Sequence, residues 1–244
     1  GLIGLELCRQ LVSQNYNVTC MDLPEQILRN KKYFKNLVTK KNFKILEGSI
    51  FEKSLLNKCI SDASIVFHLA AMLGVKRTEE NQLKCLEVNI KGTENVLEAC
   101  ASGKVRHIIF ASSSEVYGEP SENPITEKTE TQGKTVYGIS KLAGEEYVKS
   151  FSQAYPKLKF TIVRFFNTYG ENQVSQFFLA KIVRNIMANK DPIIYGNGKQ
   201  IRSFCHVEDS CSALIRMIQS PKSLQKVFNI GNSQERYNLN KVAE

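Results

Sequence analysis

The 244-residue sequence predicts an α/β fold, a doubly wound parallel sheet with helices on both faces. Three observations predict it. Short runs rich in β-branched and aromatic residues alternate with longer stretches of helical periodicity. Most of the runs are apolar throughout, as strands are when both of their faces are covered. Glycines, carboxylates and hydroxyls stand where the runs stop, and in open parallel sheets ligands bind beyond the carboxyl ends of the strands.

Helical periodicity in Leu2 to Val12 gives way at Tyr16 to the run "YNVTCMD". Four further strand-like runs follow: "FKILEG" (43–48), "SIVFHLAA" (64–71), "VRHIIFASSS" (105–114) and "KFTIVRFFN" (159–167). Helix-like stretches lie near 54–60, 79–101, 137–153 and 175–189. Right-handed crossovers between them give a Rossmann-type topology. After Asn167 the elements become short and glycine-punctuated, as in "DPIIYGNGKQIRSF" and "KVFNIG", which suits a region that covers a substrate. Residues 1–168 therefore read as the sheet domain and 169–244 as a smaller substrate-binding region, with 226–231 returning to the main sheet.

Hydrophobic residues make up 42% and charged residues 23% of the chain, the balance of an ordinary globular enzyme. No apolar run approaches the ~18 residues of a membrane span, and there is no basic-then-apolar leader, so a cytoplasmic protein without a membrane partner is expected. Lysine and arginine number 33 against 24 acidic residues, a net charge of +9. The lysines are scattered apart from "RNKKYFKNLVTKKNFK", without an aromatic-interleaved basic stripe; the charge reads as solubility plus a mild pull on phosphates, with no nucleic-acid partner. Seven cysteines without a CxxC spacing read as reduced core thiols, with no metal site.

Gly1 and Gly4 have the spacing of the second and third glycines of a GxxGxxG turn whose helix N-terminus meets a pyrophosphate. Asp22 ends the next strand at the ~20-residue distance from which a carboxylate accepts the ribose hydroxyls. Its charge repels a 2′-phosphate and favours NAD over NADP, while Arg29 and Lys31 pull the other way. YxxxK spacing occurs four times, at Tyr137–Lys141, Tyr155–Lys159, Tyr195–Lys199 and Tyr237–Lys241, so spacing alone selects nothing. Context selects the first. "YGISKLAGEEYVKSF" reads as a helix that places i and i+4 on one face, and the ammonium near the phenol is expected to lower a pKa that starts near ~10. Ahead of it, "FASSSEVYG" ends a buried strand in three serines and Glu115, either as a turn or as a pocket in which a serine holds a reacting hydroxyl.

Together these residues resemble the NAD-dependent epimerase/dehydratase family of the extended short-chain dehydrogenase/reductase superfamily, whose members modify nucleotide sugars. "GLIG" resembles the end of its TGxxGFIG turn, "HLAA" its nicotinamide-side loop, "NIKGTENVLEA" its NxxGTxNxLEA helix and "VRFFNTYG" its RxxNxYG strand end. "SSSEVYG" and "YGISK" resemble its active site, and "GNGKQIRSFCHVEDS" its GxGxQxRxFxxVxD segment. The resemblance implies that Tyr137 is the base, that Lys141 orients the nicotinamide ribose, that Ser113 holds the sugar hydroxyl, and that Glu115 faces the same pocket. It implies NAD contacts from Gly1, Gly4, Asp22, Ser49, Ile50, Leu69, Ala70, Ala71, Asn89, Tyr137 and Lys141. Asn167 and Arg202 match positions that contact a nucleotide-diphosphate sugar, and the helices at 79–101 and 137–153 would pair in a homodimer.

The chemistry implied is NAD-dependent oxidation of a sugar hydroxyl, usually at C4, by a 4-epimerase or close relative. A UDP-glucuronate-type decarboxylase and a 4,6-dehydratase are the alternatives, and a non-catalytic NAD(P)-binding protein remains a further reading. Ser114-Glu115 stands where dTDP-glucose dehydratases carry Asp-Glu, which argues against simple dehydration. Ser49 stands where the family usually carries Asp, removing a carboxylate from the adenine side. A GxxGxxG turn follows a strand of ~5–6 residues, and none precedes Gly1. The chain is therefore expected to be an interior fragment lacking the central first strand, cut again at "YNLNKVAE", and poorly folded when expressed alone.

Overall fold

The computed structural model describes residues 1–194, 196–234 and 236–243. The first half runs α1 (Leu2–Ser13), β1 (Val18–Asp22), α2 (Pro24–Arg29), α3 (Lys31–Phe34), β2 (Phe43–Glu47), α4 (Lys53–Ile60), β3 (Ile65–His68), α5 (Val75–Glu80) and α6 (Gln82–Leu86). A π-helical turn, Glu87–Lys91, leads into α7 (Gly92–Ser102), β4 (His107–Ser113), a 3₁₀ turn (Ser114–Tyr117) and α8 (Val136–Ala154). Then come β5 (Lys159–Phe165), β6 (Thr168–Tyr169), α9 (Phe178–Met187), β7 (Ile201–Arg202), β8 (Cys205–His206), α10 (Val207–Gln219), β9 (Lys226–Ile230), β10 (Tyr237–Asn238) and α11 (Leu239–Ala243).

Strands β3, β4, β5 and β9 form a parallel sheet in that order, and β1 pairs in parallel with β2. Among the described residues β1 is laddered to β2 alone and β3 to β4 alone. The register sets Ser113 opposite Phe165 and Phe165 opposite Ile230, so three strands finish in one row at the edge where ligands bind.

Period-2 alternation sends the residues of β4 to both faces. Ile108 and Phe110 pack with Leu56, Leu97 and Val148 beneath α4, α7 and α8. Ile109 and Ala111 pack with Leu7, Leu11, Cys211 and Leu214 beneath α1 and α10. Each such Leu, Ile or Phe contributes about 1.5–3 kcal/mol by leaving water. Five cysteines, 8, 85, 100, 205 and 211, are buried as free thiols.

Three sequence-based expectations differ from the fold. The strand expected over 64–71 leaves the ladder at His68, because the Met72 backbone is hydrogen-bonded on both sides by the Asn89 side chain. The single helix expected over 79–101 is α5, α6, a π turn and α7, broken at Asn81 (φ −136°) and widened around Asn89. The run expected over 159–167 stops at Phe165, since Asn167 takes the left-handed φ of +37° and turns the chain.

Candidate active site

Helix α8 starts on a cap: the Thr135 hydroxyl accepts the Gly138 N–H at 3.0 Å. Tyr137 stands in the first turn and Lys141 one turn later on the same face. Lys141 is 4% exposed; its Nζ donates to the Ala111 carbonyl at 2.7 Å and lies 5.8 Å from the Tyr137 ring centroid. Strand β4 delivers Ser113 as its last residue, and the Ser113 Oγ accepts the Glu115 N–H at 3.2 Å to start the 3₁₀ turn. The Glu115 side chain is half-buried, and its carboxylate has no hydrogen-bond or ion-pair partner among the described residues.

Burial pushes the Tyr137 phenol well above its ordinary value; the hydrogen bond from Ser113 pulls it down, and the Glu115 carboxylate pushes it further up. Burial also lowers the Lys141 ammonium to about 8, opposed by the Cys85 thiol and the Glu145 carboxylate. The expectation that Lys141 holds the phenol low is thus not met in the protein alone. Its Nζ is turned to a main-chain carbonyl, and desolvation of the phenol outweighs the hydroxyl that would stabilise the phenolate.

The other YxxxK pairs differ in their setting. Tyr155 is the C-cap of α8, with Lys159 beyond the turn on β5. Tyr237 and Lys241 approach, with the Nζ 5.9 Å from the ring centroid, across β10 and α11. Of the remaining pair, Tyr195 lies outside the described residues.

Along the same edge, Asp22 closes β1 and accepts the Leu23 N–H at 2.9 Å. Its second oxygen is 3.4 Å from the Gly1 nitrogen, and its side chain is 31% exposed. A Cβ on Gly4 would meet only Leu69, at 3.8 Å, which leaves free space beside the first turn of α1. The unpaired first-turn N–H groups of α1, this free space and the Asp22 carboxylate fit the pyrophosphate and ribose of a dinucleotide. Ser49 and Ile50 follow β2. The Ser49 N–H donates to Glu52 at 2.8 Å, and the Ile50 carbonyl accepts Asn95 Nδ2 at 3.2 Å, leaving the buried Asn95 Oδ1 unpartnered. Leu69, Ala70 and Ala71 follow β3, with Ala70 exposed.

Asn89 is buried behind that loop. Its Oδ1 accepts the Met72 N–H at 2.7 Å, and its Nδ2 donates to the Met72 carbonyl at 3.0 Å and to Ser140 Oγ at 2.9 Å. It therefore ties the loop after β3 to the helix carrying Tyr137. Thr93 donates its one hydroxyl proton to the Asn89 carbonyl at 2.6 Å, so the His68 Nε2 that meets Thr93 at 2.9 Å carries the imidazole proton. Burial holds His68 neutral, with its pKa lowered to about 3.

Asn167 Nδ2 donates to the Ser203 carbonyl at 3.0 Å, drawing the segment that carries the exposed Arg202 to the end of β5. No hydrogen bond joins Asn167 or Arg202 to Ser113, Glu115, Tyr137 or Lys141 among the described residues. Sequence reasoning passed over Ser112, Glu145 and Arg164, which lie beneath the site; the signal was a single arginine inside the apolar run "TIVRFF".

Known proteins resemble the chain over its whole length. The UDP-N-acetyl-alpha-D-glucosaminuronate decarboxylase of Bacillus cytotoxicus is 33% identical over 253 residues, covering 100% of this chain and 76% of the relative. A putative UDP-glucose 4-epimerase of Methanocaldococcus jannaschii is 32% identical, over 96% of this chain and 75% of the relative. The crystal structure of the UDP-glucuronic acid 4-epimerase from Bacillus cereus in complex with NAD superposes with a TM-score of 0.90 at 26% identity, covering 99% of this chain and 77% of that one. The family model matches residues 1–231, and the chain belongs to the NAD dependent epimerase/dehydratase family.

Proposed function

We propose that the protein is an NAD-dependent nucleotide-sugar 4-epimerase that oxidises the sugar at C4 and returns it with inverted configuration. The observation that carries the reading is the convergence of Ser113, Tyr137 and Lys141 at the carboxyl end of β4, with the Glu115 carboxylate free beside them. Residues 1–168 hold the cofactor and 169–244 cover the substrate, with Asn167 and Arg202 on the sugar or its diphosphate. NAD, when bound, supplies the acceptor that takes a hydride from C4 and gives it back.

Ser113 donates to the sugar hydroxyl and fixes it beside Tyr137. The phenolate of Tyr137 takes the hydroxyl proton as C4 becomes a ketone, and gives it back when the ketone is reduced on its other face. Lys141 retains two N–H donors beyond the one spent on Ala111, enough to hold ribose hydroxyls and to place positive charge near the phenolate. The similarity to nucleotide-sugar epimerases in two organisms supports this reading.

A second reading has its own support. Glu115, unpaired beside Tyr137, and the decarboxylase relative both favour a uronic-acid decarboxylase, in which the C4 ketone accepts the electrons released as CO₂ departs. One experiment separates them: incubation of the enzyme and NAD⁺ with UDP-, GDP- and dTDP-sugars, products read by mass and stereochemistry. Unchanged mass with inverted C4 is expected. Loss of CO₂ would establish the second reading, and no turnover of any donor would overturn both. The apolar outer face of α8, with Ala143, Tyr147 and Phe151, is the surface on which a homodimer would form, and a cytoplasmic location belongs to the same proposal.

A further inference from the structure

We propose that Glu145 is the positioning residue of this site: by bonding Ser112 and Arg164 at once it locks the helix that carries Tyr137 and Lys141 to the strand that carries Ser113. The inference rests on the function proposed above. Glu145 lies one turn beyond Lys141 and two beyond Tyr137 on the inner face of α8 and is 1% exposed. Its Oε1 accepts Ser112 Oγ at 2.6 Å and Arg164 Nε at 2.9 Å, and its Oε2 accepts Arg164 Nη2 at 2.7 Å. Ser112 is the immediate neighbour of Ser113. Arg164 continues from β5 to Tyr117 Oη at 2.9 Å, and Tyr117 to Asn229 on β9 at 2.7 Å.

A buried ion pair is weak evidence for stability, because apolar residues of similar volume often serve as well. It does fix geometry. A bidentate guanidinium–carboxylate pair tolerates little sliding, and a one-residue slip of α8 would rotate Glu145 away from both partners. The titratable groups around Lys141 are Tyr137 and Glu145 on α8, Cys85 on α6 with Glu79 of α5 acting on it, His68 on β3, Glu115 on the 3₁₀ turn, and Arg164 on β5. Against its burial Lys141 is raised first by the Cys85 thiol and then by the Glu145 carboxylate, so Glu145 also adds to the charge of the ammonium.

Two variants of the holoenzyme test this. Glu145→Met/Arg164→Met leaves no unpaired buried charge and is expected to fold and bind NAD, which a thermal melt and a cofactor titration check. Its kcat is expected to fall at least tenfold with KM little changed, and the alkaline limb of its pH profile to move to lower pH. Ser112→Ala cuts one link and keeps the charge, so it should lower kcat several-fold without moving that limb. Competitive acetylation of Lys141 across pH, read by mass spectrometry, gives the lysine midpoint without turnover; it should fall in the double variant. A folded double variant with wild-type kcat, or with an unchanged Lys141 midpoint, overturns the proposal. If the wild type turns over no nucleotide sugar, the function above fails, and the acetylation midpoint alone decides this inference.

Discussion

Gly138 lies against the backbone of Glu115: a Cβ at position 138 would stand 2.7 Å from the Glu115 carbonyl oxygen. The first turn of α8 is therefore pressed onto the turn that follows Ser113, and this approach brings Tyr137 within reach of the Ser113 hydroxyl. Neither backbone can yield cheaply. Gly138→Ala is expected to cost about 1–3 kcal/mol of stability by overpacking. A larger fractional loss in kcat should accompany it, because displacement acts on Tyr137 directly. Urea unfolding and steady-state turnover of the same variant read the two effects.

Ser113 and Glu115 act on the Tyr137 phenol with opposite signs. Removing the hydroxyl donor in Ser113→Ala raises the phenol pKa, so the acidic limb of kcat/KM should move to higher pH. Removing the negative charge in Glu115→Gln lowers it, and the limb should move to lower pH. A pH–rate series on both variants checks the directions; movement of both limbs the same way would mean that the limb reports another group.

Asp22 places a carboxylate 3.4 Å from the Gly1 nitrogen, beside the N-terminus of α1. With the ribose hydroxyls held there, Asp22→Asn is expected to weaken NAD binding about tenfold, the loss of one charge-assisted hydrogen bond, and to narrow the preference for NAD over NADP. Calorimetric titration with each cofactor measures both.

His68 is buried neutral, with its pKa lowered to about 3 from an ordinary 6.5. Because the folded value lies below the unfolded one, its contribution is fully present above pH ~6.5 and is lost as pH falls towards 3. Between pH 7 and pH 4 the loss is about 3 kcal/mol. His68→Gln keeps an N–H donor for Thr93 without titrating, so its unfolding free energy should fall less steeply over that interval.

The parallel sheet of apolar strands was legible because it rests on periodicity, and so was the one helix that carries both Tyr137 and Lys141. The break at Asn89 was not. "EVNIK" reads as ordinary helix, and its widening depends on a loop seventeen residues away placing the Met72 backbone within reach of one amide. Glu145 and Arg164 were hidden for a related reason. A charge on an amphipathic helix reads as solvent-facing until tertiary packing buries it, and only the arginine amid apolar residues hinted at a partner.

The central claim, transient oxidation at C4 with Tyr137 as base, is tested most directly with a UDP-sugar deuterated at C4, turned over by the wild-type holoenzyme and by Tyr137→Phe. The wild type should show a primary isotope effect and keep the deuterium at inverted C4. The variant should bind NAD normally and lose about 10²–10⁴-fold in turnover. Near-wild-type turnover by Tyr137→Phe, or epimerisation without an isotope effect and with loss of the label to solvent, would contradict it.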